Sequence, residues 1–316
     1  MTSAQPAALP APPAERGALR LAGLAAVAYV AFNLLLPLVP PLPIPLLRIL
    51  ALPSTMAFML LQLWLAQSVV GLRLRPLPCL LMALLFTGLI VATIAFLHPH
   101  HAWPGTVNAG LFVLTPLLQG LALTLGCAFL GILLSRIIRE PNVLLPVALV
   151  AMPIDYLGAM TSIGFTQNVV AHHPEVVRQI SIPVPGIGAA AHPGALHPIA
   201  FIGPGDALFV AFFFAVVLRL NMNVRGTFWW IYGLLTATML FVLSPWGFNI
   251  AALVPMGLAV LIANFRYFKL KREEVFATLY AGLLIIALVT GFYLYYSHTH
   301  KPMPVVKYTK NKRGTP

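Results

Sequence analysis

The chain has 316 residues, of which 60% are hydrophobic and only 8% charged, with mean hydropathy +0.91. Such a composition excludes an ordinary soluble domain and reads as an integral membrane protein, with room for about nine spans of roughly 20 residues. The formal charge of +12 would suggest nucleic acid in a soluble protein. Here the basic residues sit almost wholly between apolar runs, where they orient helices and meet anionic lipid heads, so no nucleic-acid partner is expected.

Residues 1–17 are rich in Pro and Ala and read as a disordered lead. The first apolar run, about 19–39, is long for a signal-peptide core and lacks a small-x-small cleavage site, so it reads as a retained helix. Further runs follow at about 49–72, 77–97, 107–134 and 143–165. A connecting loop of roughly 33 residues leads to runs at about 201–218, 228–243, 248–265 and 275–296. The expectation is an all-α polytopic bundle of about nine helices over 18–296, closed by a basic tail at 297–316. Positive residues cluster between alternate runs: Arg16 and Arg20, Arg73 and Arg75, Arg136 and Arg139, Arg219 and Arg225, then Arg266, Lys269, Lys271 and Arg272. That pattern places the N-terminus in the cytoplasm, with a prokaryotic protein expected in the cell membrane. The basic tail dissents, since nine spans would leave it outside.

The chain's only two aspartates, Asp155 and Asp206, both lie inside apolar runs, while the glutamates are placed in loops and tails. A carboxylate at membrane depth costs roughly 2.5–3.5 kcal/mol on insertion scales and is a functional-site hypothesis by default. The two runs are joined by one loop, so they are expected to be antiparallel neighbours. Asp155 lies ~15 Å back from Phe165 and Asp206 ~10 Å in from Ile199, at 1.5 Å per residue. At matched depth the two carboxyls can meet. Two carboxylates in contact in a low-dielectric site cannot both stay ionised and share a proton. One can then activate a water while its protonated partner polarises a carbonyl, which is aspartic-protease chemistry. Gly203 and Gly205 let backbone approach a substrate closely; Pro204 is expected to weaken the helix start, and Pro153 to add a break beside Asp155.

Asp155-Tyr156 in one run, Gly203-Pro204-Gly205-Asp206 opening the next, and a Pro-containing segment two runs later resemble the GxGD intramembrane aspartyl proteases, the presenilin and signal peptide peptidase family. The resemblance covers roughly residues 142–265 and implies a presenilin-like catalytic helix bundle. It implies that Asp155 and Asp206 are catalytic and that Tyr156, Gly203, Pro204, Gly205, Pro255 and Leu258 shape the active site. The implied substrates are transmembrane peptides, signal peptides or membrane proteins, and a homo-oligomer is compatible with it. Here Tyr156 follows the first aspartate where the family has Tyr before it, and Val254-Pro255-Met256-Gly257-Leu258 stands where the family has Pro-Ala-Leu. A prepilin-peptidase GxGD normally continues with Lys two residues on, whereas Ala207-Leu208 follows here.

Two other classes remain open. The aspartates can relay protons or bind a cation in a proton-coupled transporter or channel, or satisfy buried donors in a structural or assembly protein. In the connecting loop, residues 176–184 are β-prone and bounded by Pro174 and Pro185, and read either as a strand that pairs with an unwound substrate segment or as an irregular surface loop. Seven histidines (His98, His100, His101, His172, His173, His192, His197) fall on one expected face, without a helical i, i+4 pair. They read as loop and interfacial residues, not a metal site. No P-loop, dinucleotide fingerprint or Ser/His/Asp order appears, so no cofactor is expected.

Overall fold

The computed structural model describes residues 14–40, 43–72, 74–97, 105–160, 200–244 and 250–269, with 172, 177, 179–185 and 187 between, and part of 272–294. The N-terminal lead before Ala14 and the tail after 294 lie outside the described residues. So do all the histidines of the expected loop face except His172.

Eight α-helices are described: α1 (Ala14–Leu38), α2 (Ile44–Val70), α3 (Pro76–Leu97), α4 (Gly105–Ser135), α5 (Pro141–Met160), α6 (Pro204–Arg219), α7 (Val224–Leu243) and α8 (Leu253–Asn264). A short antiparallel pair, β1 (Ile182–Val184) with β2 (Ala200–Ile202), lies between α5 and α6 in the chain. The described residues within 272–294 are helical as well. The bundle is therefore mostly helical, and five of its helices, α1 to α5, are long and apolar enough to cross a membrane. The expected count of nine spans is not reached among the described residues: α6 has 16 residues and α8 only 12. Several boundaries also move. Helix α1 begins at Ala14, so Glu15 and Arg16 are helical and not part of a coil lead. Helix α5 runs through Pro146 and Pro153 without ending.

The outer surface explains the composition. Helix α3 is apolar all round, and its Leu77 and Leu84 are 65% and 60% exposed. A helix with no polar face and exposed leucines needs lipid, not water, as solvent. Helix α6 is the opposite case. Every residue from Val210 to Val217 is buried, so α6 is enclosed by protein. It packs chiefly on α4, and also touches α2, α7 and α8.

Lipid tails are as apolar as leucine, so helix association in a bilayer depends on close packing rather than on escape from water. Gly131 of α4 supplies such an approach: a Cβ there would lie 2.7 Å from the Phe212 backbone nitrogen of α6. Tyr29 of α1 and Phe58 of α2 pack with ring centres 5.6 Å apart. The Tyr29 hydroxyl is hydrogen-bonded to Thr124 of α4, which ties the α1–α2 pair to the centre.

Polar clips fix the basic end. The Asn264 amide, fully buried, donates to Thr227 Oγ1 at 2.8 Å and to the Val260 carbonyl at 2.9 Å, while its oxygen accepts from the Asn223 amide at 2.9 Å. That joins α8 to the start of α7. Asn264→Ala leaves the Asn223 amide without its acceptor and removes one partner of Thr227, whose hydroxyl keeps its bond to the Asn223 carbonyl. It is expected to destabilise the fold by about 1–3 kcal/mol, read as a lowered Tm in detergent. At the same end Asn142 exchanges two hydrogen bonds with the Lys269 backbone, at 3.0 and 3.1 Å. The Arg136 side chain donates to the Leu74 carbonyl, and Arg219 donates to the Arg136 carbonyl. These contacts gather the segments around residues 74, 136, 142, 219 and 269 at one end of the bundle, as the alternation of basic residues requires.

Candidate functional site

The Gly203-Pro204-Gly205-Asp206 stretch lies where β2 turns into α6. The sequence placed Asp206 seven residues into a span, but Ala200–Ile202 are strand and the helix begins at Pro204. Pro204 occupies the first helical position, where its fixed φ suits the helix and its missing N–H is no loss. It starts the helix and does not weaken it. Gly203 is the extended N-cap, with φ −67° and ψ 151°. Asp206 thus stands in the first turn, where the positive end of the helix dipole favours a carboxylate. Its carboxyl is hydrogen-bonded to the Gly203 backbone. A Cβ on residue 203 would come 3.3 Å from its Oδ2, so glycine keeps that approach open. The Pro204 carbonyl accepts from Cys127 Sγ of α4 at 3.5 Å, anchoring the motif to the central helix.

Asp155 comes from the last part of α5, five residues before the helix ends at Met160. Its Oδ2 accepts from the Leu253 amide at 3.0 Å. Leu253 is the first residue of α8, and the first N–H groups of a helix have no partner within it. A second helix N-terminus is therefore aimed at the second carboxyl. The Asp155 and Asp206 carboxyls lie within electrostatic reach of each other. Among the described residues no Lys or Arg pairs with either aspartate. Two helix N-termini stand in for the missing cation.

The two aspartates come within electrostatic reach of each other, but α5 and α6 are not each other's main packing partners. Helix α5 makes its main contacts with α8, and α6 with α4. Helix α8 bridges them: it packs on both α5 and α6, with Gly257 set against the Met152 side chain of α5.

Beside Asp206 opens a cavity of about 210 Å³, bounded by α2, α4, both strands, α6, α7 and α8. Its wall is largely aliphatic and aromatic, and includes Phe58, Phe201, Val210 and Leu235. Ala252 and Met256 bring the start of α8 into this wall. Pro255 and Leu258, the residues carried over from the Pro-containing segment, do not line it. Positions 252 and 256 share one face of a helix, whereas 258 lies about 200° around from 256. Pro255 is buried inside the α8 packing and Leu258 is 43% exposed. Tyr156, one residue and about 100° around α5 from Asp155, is 48% exposed and also outside the wall. Gly205 is exposed at the second helical position.

The sequence offered no sign of two groups that stand here. One is the Leu253 backbone amide, which carries no side-chain signature. The other is Gln62 of α2, 7% exposed, which lines the cavity with an amide oxygen that has no hydrogen-bond partner. The β-prone loop is also resolved differently. Ile182–Val184 pairs with the chain's own Ala200–Ile202, in the register Ile182 to Ile202, and packs on α4. Val177, Gln179 and Ile180 are helical.

Comparison of the chain with models of known protein families, with characterised proteins and with solved structures returns no match.

Proposed function

We propose that the protein is an intramembrane aspartyl endopeptidase that hydrolyses peptide bonds within transmembrane segments, using Asp155, Asp206 and a water. The observation that supports this reading is that the chain's two aspartates come within electrostatic reach of each other, each facing a backbone donor, with Asp206 lining an apolar cavity that Asp155 does not line. In the proposed reaction one carboxylate takes a proton from the water as its oxygen attacks the peptide carbonyl carbon. The protonated partner gives its proton to the carbonyl oxygen, forming a tetrahedral diol. Collapse breaks the C–N bond, and a proton passes to the leaving amine. The helix N-termini of α6 and α8 stabilise the negative charge that moves within the pair.

In this reading the cavity receives an apolar substrate side chain flanking the cleaved bond. Because Ile182–Val184 is already paired, an unwound substrate segment would extend the small sheet at an outer edge. The unpaired Gln62 oxygen would accept a substrate N–H. Gln62→Leu is therefore expected to raise Tm, because a buried unsatisfied group is removed, while raising KM about tenfold with kcat little changed. Steady-state cleavage rates and thermal unfolding of the same preparation check both signs.

A peptide with a hydroxyethylene group in place of the cleaved amide mimics the diol and tests the proposal directly. It is expected to stabilise the wild-type protein against heat and to fail with Asp155→Asn or Asp206→Asn. Equal stabilisation of all three proteins would remove the aspartates from the site. The proposed setting is a membrane, the cell membrane if the source is prokaryotic, with the basic end of the bundle in the cytoplasm, and the partners are transmembrane peptides or membrane proteins.

A further inference from the structure

At the basic end, the C-terminal ends of α2, α4 and α6 converge around a second cavity, of about 300 Å³. It is lined by Leu74, Ser135, Arg136, Arg219 and Asn221, with aliphatic residues beneath them. We propose that this cavity binds a phosphate-type oxyanion, the headgroup of an anionic phospholipid, between Arg136 and Arg219.

Two guanidiniums share the cavity, and no carboxylate stands within ion-pair distance of either among the described residues. Their hydrogen-bond partners here are neutral: Arg136 Nη2 donates to Leu74 O at 2.6 Å and the same side chain reaches the Cys79 thiol, while Arg219 Nη1 donates to Arg136 O at 3.3 Å. Those bonds hold carbonyls just beyond the ends of α2 and α4 and leave donors of each five-donor fork uncommitted. The Arg136 Nε is buried with no partner. Like charges held together near a low-dielectric medium repel more strongly than in water, so the arrangement calls for a counter-charge. Helix C-termini contribute only about half a negative charge each, within the last turn. Paired guanidiniums match the geometry of phosphate oxygens through bidentate bonds. The cavity also lies at the helix ends, at the level where headgroups of an anionic leaflet would meet it. Arg219 is exposed at its mouth, and Asn221 beside it adopts φ 52°, turning the chain out of α6.

The inference is independent of what the aspartates do. It is tested by native mass spectrometry of the full chain in detergent, titrated with phosphatidylglycerol or phosphatidylcholine, with inorganic phosphate as a separate arm. The wild type is expected to retain phosphatidylglycerol over phosphatidylcholine, and Arg219→Gln to weaken that binding about tenfold. Arg225→Gln, an exposed residue of the same end outside the cavity, removes the same charge and is expected to bind as the wild type. Arg136→Gln also loses the Leu74 bond, so Arg219→Gln decides the matter if that variant does not fold. Competition by millimolar phosphate, lost in Arg219→Gln, would assign the cavity to free phosphate; no competition assigns it to lipid. Wild-type affinity in Arg219→Gln, or an equal loss in Arg225→Gln, would overturn the proposal.

Discussion

Asparagine at either position 155 or 206 is expected to leave a folded protein whose cleavage rate falls by about 10²–10⁴-fold. Asparagine keeps the shape of aspartate and an oxygen that can still accept, so Asp155→Asn preserves the link to the Leu253 amide that holds the start of α8. At position 206 it keeps an acceptor for the Gly203 backbone. What it removes is the proton acceptor, and with it the exchange of one proton between two carboxyls. Residues that act as a unit are not additive, so the double variant is expected to be no slower than the slower single one. Rates on one peptide, with Tm measured alongside, separate this from unfolding. A single variant with near wild-type rate would show that the pair does not work as a dyad.

The second large effect lies away from the chemistry, at the contact between α4 and α6. A Cβ on Gly131 would stand 2.7 Å from the Phe212 nitrogen, 2.9 Å from the Ala211 carbonyl carbon and 2.9 Å from the Ala211 Cβ. Two of those atoms are backbone, which cannot rotate aside, so the helices must separate. Gly131→Ala is expected to destabilise the protein by about 1–3 kcal/mol, and Gly131→Val by more. Gly88 and Gly233 are matched controls: each is helical with nothing within 4 Å of its added Cβ. Alanine at those positions is expected to be neutral or to stabilise by up to about 1 kcal/mol. Unfolding of the four variants and the wild type in mixed micelles gives the comparison. Because Asp206 sits on α6, Gly131→Ala should also lower activity below what its Tm loss explains.

The long apolar helices were legible from composition, and the approach of the two aspartates to within electrostatic reach from two carboxylates at matched depth. The route by which they approach was not. Connectivity made α5 and α6 look like partners, but packing gives α5 to α8, a choice fixed by small surfaces such as Gly257 against Met152. The strand Ala200–Ile202 was hidden because Ala, Phe and Ile read equally well as the start of an apolar span. Only the Gly-Pro that follows marks where the helix begins. Pro255 and Leu258 were named by position in a motif, while helical phase gives the cavity wall to Ala252 and Met256. The Leu253 amide and Gln62 had no signal at all: one is backbone, and the other is a single amide on α2, distant in the chain from both aspartates.

The decisive measurement reconstitutes the purified protein in liposomes with a panel of single-span peptides and identifies products by mass spectrometry. The dyad reading predicts cuts inside the span by the wild type and none by Asp155→Asn or Asp206→Asn. Intact peptides across the panel, together with a proton flux in the same liposomes that either variant abolishes, would contradict it and make the aspartates a proton relay.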